Sequence, residues 1–265
     1  MKIVQIASGS KGNSTYIESG DTRIIIDCGI SKKRIVDVLS QYNYNLDSID
    51  AILITHEHTD HVSGLLPLYR ATNAIIYMTL GTFDGLNQNV KDSLDMSRVK
   101  FIKHDSRFIV KDIDVETIQT FHDAIDSVGF ILKDNLNKLV YITDTGYIHE
   151  SFLDKLRNAD MYILESNHDP AVLMESNRPY QTKLRILSDH GHLSNEDSAY
   201  IASKLIGEKT RYILLAHISE ECNVPELAIK TYENVFESQG VSLGDIKLIC
   251  LSQIPLKEIK LWRLQ

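Results

Sequence analysis

The 265-residue sequence predicts an α/β domain in which two sheets are covered by helices. Three observations lead there. The first half is rich in short strand-like runs. The second half alternates helical and strand-like segments. No Pro/Gly-rich linker, low-complexity run or short repeat separates the two, so a single domain over 1–265 is the simplest organisation.

The opening, Lys2 to Ala7, reads as a strand, followed by strands at Ser14 to Glu18 and Thr22 to Asp27 with Gly20-Asp21 as the turn of a hairpin. Ser31 to Tyr42 carries apolar residues at Ile35, Val38 and Leu39, the spacing of a short amphipathic helix with Ser31 as its N-cap. Ala51 to Thr55 is a buried strand, and a polar run begins at His56 immediately after it. Strand-like segments recur at Ala74 to Met78, Lys100 to Lys103, Phe108 to Val110, Val115 to Phe121, Val128 to Lys133 and Lys138 to Thr143. The turn Asp134-Asn135-Leu136-Asn137 pairs the last two as a second hairpin. Beyond residue 149, helical segments at 149–157, 194–206 and 225–238 separate strands at 161–165 and 211–216. The tail from Leu256 to Leu264, with Trp262, is strand-like.

Composition narrows the function. Apolar residues make up 43% and charged residues 24%, as in an ordinary globular protein, and a chain this long can bury a core without disulfides or a structural metal. Apolar runs such as Ile24 to Ile26 and Tyr212 to Ala216 are far too short to span a bilayer, so no membrane association is expected. Met1 to Gln5 shows no signal-peptide pattern. Three widely spaced cysteines, Cys28, Cys222 and Cys250, suit a reducing compartment, so a cytoplasmic location is expected. The net charge of -8 excludes a protein that coats nucleic acid with its whole surface. It leaves a nuclease open, because metal sites concentrate carboxylates that the ions neutralise.

The chemistry concentrates at strand ends. Thr55-His56-Glu57-His58-Thr59-Asp60-His61 packs four metal-capable side chains into six residues directly after a buried strand. A helix could not aim all four at one point, whereas a loop at a strand end can wrap around ions. Imidazole suits zinc, iron or manganese, and the carboxylate adds a harder ligand.

The H-x-H-x-D-H run, continuing into Gly64-Leu65, resembles the metallo-β-lactamase superfamily. The resemblance implies an αββα sandwich with metals at one edge of two mixed sheets. Further superfamily positions follow in chain order. Asp27 ends the third strand and looks like the aspartate that orients the histidine loop from behind the ligands. His122 in Thr120-Phe121-His122-Asp123-Ala124, Asp144 in Ile142-Thr143-Asp144-Thr145-Gly146 and His217 in Ala216-His217-Ile218-Ser219 look like the remaining ligands. By this resemblance His56, His58 and His122 hold one divalent cation, Asp60, His61 and His217 a second, and Asp144 bridges them. The ions, Zn²⁺ or Mn²⁺, would hold a bridging hydroxide for in-line attack at phosphorus.

Several stretches are similar to the YycJ/WalJ-like subgroup, double-stranded DNA 5′-to-3′ exonucleases. They are Ala7-Ser8-Gly9-Ser10-Lys11-Gly12-Asn13-Ser14, Phe121-His122-Asp123-Ala124, Leu164-Glu165-Ser166-Asn167-His168-Asp169 and Gly191-His192-Leu193-Ser194-Asn195. Where the subgroup commonly has consecutive asparagines, Cys222-Asn223 stands here. The resemblance implies a duplex-DNA substrate. Asp60, His192 and His168 are the candidate catalytic residues, with His190 a third histidine for the leaving group. Ser10, Asn13, Asn167, Lys183, Arg185, Ser194 and Asn195 are candidates for substrate contact. The Gly9–Gly12 loop reads as a backbone cradle for an anion, and Ser194 as the N-cap of a helix whose start favours phosphate. Lys32-Lys33-Arg34 reads as a solvated helix start. Two other functions stay open: a small-substrate hydrolase, such as a cyclic phosphodiesterase or thioesterase, and a regulatory protein with structural metals. No protein partner is legible.

Overall fold

The computed structural model describes residues 1–261, with strands in two mixed sheets flanked by helices. Trp262 and Leu264 lie outside the described residues. Fourteen strands are described: β1 (Lys2–Ala7), β2 (Ser14–Ser19), β3 (Thr22–Ile26), β4 (Ala51–Leu53), β5 (Ile75–Thr79), β6 (Val99–Ile102), β7 (Arg107–Val110), β8 (Ile113–Gln119), β9 (Val128–Lys133), β10 (Lys138–Ile142), β11 (Met161–Glu165), β12 (Tyr212–Ala216), β13 (Lys247–Cys250) and β14 (Ile259–Lys260). The chain divides into two compact units. One comprises residues 1–119 and 124–136 with the chain from 253; the other comprises 120–123 and 137–252.

In the first unit a seven-stranded sheet runs in the order β14-β1-β2-β3-β4-β5-β6. Its β14, β1, β2 and β3 are antiparallel neighbours, and β3 to β6 are parallel. The antiparallel run β7-β8-β9 belongs to the same unit and to the second sheet. Parallel strands are covered on both faces and therefore read as continuous apolar runs. All of Ala51–Leu53 is buried, and Ile25, Ile52, Ile54 and Ile76 join one apolar core with Ile35, Val38 and Leu39. The last three come from helix α1 (Lys32–Leu39), on the face that their spacing predicts. Ser31 caps the helix by accepting from the Arg34 N–H at 3.3 Å.

In the second unit β10, β11, β12 and β13 are all parallel, with Ile142 level with Leu164 and Glu165 level with Ala216. Parallel strands share one direction, so the residues that follow them gather at one edge of the sheet. Asp144 follows β10, Glu165 ends β11 and His217 follows β12. In the first unit Asp27 follows β3 and His56 follows β4 in the same way.

The remaining helices are α2 (Thr59–Val62), α3 (Leu65–Tyr69), α4 (Leu80–Gly85), α5 (Gln88–Ser93), α6 (Leu153–Leu156), α7 (Pro170–Glu175), α8 (Tyr180–Ile186), α9 (Asn195–Leu205) and α10 (Pro225–Ser238). Helices α2 to α5, α7 and α8, and strand β13, go beyond the sequence-based expectation; they are too short to show a clear period. The helix expected over Ser31 to Tyr42 ends at Leu39, and a single 3₁₀ turn closes on Asn43 at φ 60°. Among the described residues no helix is long and apolar enough to cross a membrane.

The Gly9–Asn13 loop ties these pieces to the histidine loop. Gly12 has φ 144°, and a Cβ there would stand 2.3 Å from the Gly29 carbonyl oxygen. Gly29 in turn leaves no room for a Cβ, which would fall 1.5 Å from the Asp60 oxygen. Gly12→Ala is expected to destabilise the protein by about 1–3 kcal/mol through forced strain. A lowered urea midpoint checks this; an unchanged midpoint removes the argument.

Candidate metal centre

The histidine loop is held by backbone bonds on three sides. The Asn13 N–H donates to the Asp60 carbonyl at 2.8 Å, the Cys28 N–H to the His61 carbonyl at 2.9 Å, and the Gly64 N–H to the Cys28 carbonyl at 2.7 Å. Behind it Asp27 is fully buried. Its carboxylate accepts from the Thr55 N–H at 2.9 Å, the Thr55 hydroxyl at 2.9 Å and His61 Nδ1 at 2.8 Å. Burial pushes the Asp27 carboxyl up in pKa, against the pull of the neighbouring His61 and Thr55. Thr55 Oγ1 also lies 3.0 Å from His56 Nδ1, which extends the chain His56–Thr55–Asp27. The rings of His56 and His58, and of His56 and His61, stand 4.6 and 4.1 Å apart. His61 Nε2 lies 3.5 Å from Asp60 Oδ2.

The second unit repeats this logic. His122 Nδ1 donates to the Gly191 carbonyl at 3.0 Å, and its Nε2 lies 3.8 Å from Asp144 Oδ1. His217 Nδ1 faces Glu165 Oε1 at 3.2 Å, and its Nε2 lies 3.5 Å from Asp144 Oδ1. Burial holds the His122 imidazole below its ordinary pKa and so favours the neutral ring, the form that binds a metal. Asp144, Glu165, His192 and His217 form a group whose ligand atoms lie within 4.8 Å of one another.

Two donors each ~2.1 Å from a tetrahedral ion stand roughly 3.4 Å apart. The Nε2–carboxylate separations of 3.5–3.8 Å are near that spacing and too long for good hydrogen bonds. In His61, His122 and His217 an oxygen acceptor anchors Nδ1 while Nε2 faces a carboxylate of the same unit, Asp60 for His61 and Asp144 for the other two, as metal-ligating histidines are commonly held. The residues present therefore fit divalent cations. Asp27, Asp144 and His217 all lie at positive φ, 55–56°, so backbone strain falls at the ends of the strands that aim these side chains.

A family model described as a Beta-lactamase superfamily domain matches residues 22–218. The chain belongs to the metallo-β-lactamase superfamily. Within it, the chain is 36% identical over 259 residues to Exodeoxyribonuclease WalJ of Streptococcus pneumoniae serotype 2 strain D39, covering 96% of each chain. It is 33% identical over 248 residues to Exodeoxyribonuclease YycJ of Bacillus anthracis, covering 91% of this chain and 90% of that one. Among solved structures, the metallo-β-lactamase fold protein YhfI of Bacillus subtilis superposes with a TM-score of 0.69 at 19% identity, over 96% of this chain and 98% of that one. That similarity carries the fold. The two mixed sheets and flanking helices are those of the metallo-β-lactamase superfamily.

Several residues expected at the substrate have other partners in this metallo-β-lactamase chain. The Gly9–Asn13 loop is not an open anion cradle. The Gly9 N–H donates to Asn13 Oδ1, the Gly12 N–H to the Gly9 carbonyl, and the Asn13 N–H to Asp60. Asn13 is buried and its amide lies 3.0 Å from His61 Nε2, while Ser10 is exposed. Lys183 does not face solvent; its ammonium caps the carbonyls of Met174 and Ser176 at 2.6 and 2.7 Å. Arg185 is half-exposed and pairs with Asp123. Asn167 donates to the His217 carbonyl at 2.8 Å and so helps hold that ligand candidate. Asn195 is buried against Ser166 and Asn223. Ser194 caps α9 as expected, but its own Asp197 occupies the helix start: the Asp197 N–H donates to Ser194 Oγ at 3.1 Å, and Ser194 Oγ donates to the Asp197 carboxylate at 2.6 Å. An acidic side chain at that N-terminus replaces the anion expected there.

Among the three histidines considered for acid catalysis, His192 is set beside Glu165, with Nδ1 2.7 Å from Oε1. His168 is buried, neither ring nitrogen has a hydrogen-bond partner among the described residues, and burial pulls its pKa down to about 4, so the ring is neutral at pH 7. His190 is exposed. Glu165 belongs to the Leu164–Asp169 stretch that resembles the subgroup, but at the end of an apolar strand the sequence assigns it no role. The structure makes it the acceptor for His192, His217 and the Thr145 N–H.

Proposed function

We propose that this chain is a metal-dependent exonuclease that degrades duplex DNA from the 5′ end. The observation that carries the reading is its 36% identity, over 96% of both chains, with a protein named as an exodeoxyribonuclease. In this reading His56, His58 and His122 would hold one divalent cation and Asp60, His61 and His217 a second, with Asp144 contributing to both. When bound, these cations would supply Lewis-acid polarisation of the phosphate and an activated water. The protein's own part is orientation and proton handling. Asp27, Gly191 and Glu165 fix the rings of His61, His122 and His217 by their Nδ1 atoms. His192 hands a proton from Nε2 to the departing 3′ oxygen, and the Glu165 carboxylate beside Nδ1 balances the imidazolium charge. His168, neutral and buried, is a poor proton donor. The whole chain acts as one hydrolase domain, and its three free cysteines suit the reducing cytoplasm.

The test is duplex DNA labelled at one 5′ or one 3′ end, with Mn²⁺ and Zn²⁺ supplied separately and His58→Ala as control. Early release of short 5′-labelled products, dependent on metal and on His58, is the expected result. Turnover of small phosphodiesters or thioesters with intact DNA would move the assignment to a small-substrate hydrolase.

A further inference from the structure

Beside the histidine loop, within the first unit, lies a cleft of about 470 Å³ lined by Leu80, Phe101, Ile102, Lys103, His104 and Asp126. Its volume falls in the range of clefts that take small ligands, about 300–1,000 Å³. Large apolar side chains are exposed around it: Leu80 is 55% accessible, Phe101 46% and the neighbouring Ile125 63%. Phe83 stands edge-on to Phe101, with ring centroids 5.4 Å apart. Polar groups share the same cleft. His104 Nε2 pairs with Asp126 Oδ1 at 2.7 Å, and Lys103 adds an exposed cation.

The cleft is joined to the chemistry by bonds on one wall. The Ile125 N–H donates to Glu57 Oε1 at 2.8 Å, and Glu57 stands between His56 and His58 in sequence. The Thr79 hydroxyl donates to the Asp126 carbonyl at 2.7 Å, so the start of α4 grips the same wall. Gly81 lets the helix come this close, because a Cβ there would meet Asp126 Cβ at 2.3 Å. Glu57 is thus the member of the H-x-H-x-D-H run that reaches away from the metal ligands to brace this wall.

We propose that this cleft is a subsite for an unpaired nucleobase of the DNA substrate. The inference rests on the exonuclease reading for its choice of ligand. An aromatic face, a His–Asp pair and an adjacent ammonium match the face of a base, its polar edge and its phosphate. The base stacks on Phe101 against Leu80, its edge meets His104 and Asp126, and its phosphate faces Lys103. A purely apolar partner would leave that His–Asp pair and the ammonium unmatched. Stacking tolerates any base, which suits an enzyme that must advance through every sequence.

The experiment uses the full-length protein with its metal and a duplex bearing a short unpaired 5′ end with 2-aminopurine at its terminal nucleotide. Binding to the wild type should quench the 2-aminopurine fluorescence by stacking. Phe101→Ala should remove the quench, weaken binding by about tenfold and raise KM for the overhang duplex. Hydrolysis of bis(p-nitrophenyl) phosphate, too small to span both sites, should be unchanged, and Phe101→Trp should restore the quench. Equal quenching and binding in wild type and Phe101→Ala overturns the subsite. The quench is read without turnover, so a Phe101-dependent quench in a protein that cleaves no DNA keeps the subsite and removes the exonuclease reading instead.

Discussion

Replacing Asp144 by asparagine is expected to strip metal from the centre and abolish DNA cleavage. The substitution keeps the side-chain shape, and asparagine tolerates left-handed backbone as well as aspartate does, so φ 55° at this position should not unfold the variant. What changes is charge. Asp144 Oδ1 lies within 3.5–3.8 Å of the Nε2 atoms of both His122 and His217, and an amide there offers a weaker, neutral ligand. Loss of an outer partner to a metal ligand already costs about 10–100-fold in affinity. Loss of a carboxylate proposed to serve both ions should cost more. Elemental analysis after dialysis, alongside the thermal midpoint, reads this directly. A folded Asp144→Asn protein that keeps its metal and its turnover would show that Asp144 is not a ligand.

The second large effect is expected at Glu165. This carboxylate is fully buried, which by itself would raise its pKa. Its contacts with His192 and His217 more than offset that and hold it ionised. It accepts from His192 Nδ1 at 2.7 Å, His217 Nδ1 at 3.2 Å, the Thr145 N–H at 2.9 Å and the Leu193 N–H at 3.3 Å. A glutamine can satisfy at most half of these, since its NH₂ turns one acceptor into a donor. Glu165→Gln is therefore expected to lower kcat by about 10²–10⁴-fold, the scale of a lost general acid, with KM for DNA nearly unchanged. His192→Ala should cost a similar factor. If the two act as one unit, the double variant should be little worse than either single one. Fully additive losses would mean that Glu165 acts mainly through His217, whose Nδ1 it also holds, and not through His192.

Much of this was legible before any coordinates. The strands Lys2–Ala7, Val128–Lys133 and Met161–Glu165 stand where apolar runs and turn residues put them. Ser31 and Ser194 cap the helices that their positions announced, because a cap depends on residues three apart in sequence. The H-x-H-x-D-H run was equally plain. Its four metal-capable side chains are neighbours in the chain, and no fold is needed to see their density. Asp27, Asp144 and His217 stand out through the superfamily resemblance, each at or just past the end of an apolar strand, and parallel strands deliver such residues to one edge.

The partners of those residues were decided by tertiary structure. Lys183 reads as a free cation in sequence, yet α8 buries it against carbonyls of the preceding turn. The glycines of the Gly9–Gly12 loop read as room for an anion, whereas their backbone N–H groups close on Gly9 and Asn13, and Gly12 makes room for Gly29. Glu165 sits at the end of an apolar strand, inside the stretch that resembles the subgroup, and nothing local tells what it does. Its role comes from His192, 27 residues on, and from His217, just past the end of the neighbouring strand. Local pattern sets which backbone forms and where chemistry-bearing side chains emerge. A buried polar group, by contrast, takes whichever donor or acceptor the packed chain brings to it, and that partner is fixed only when strands far apart in sequence come into register.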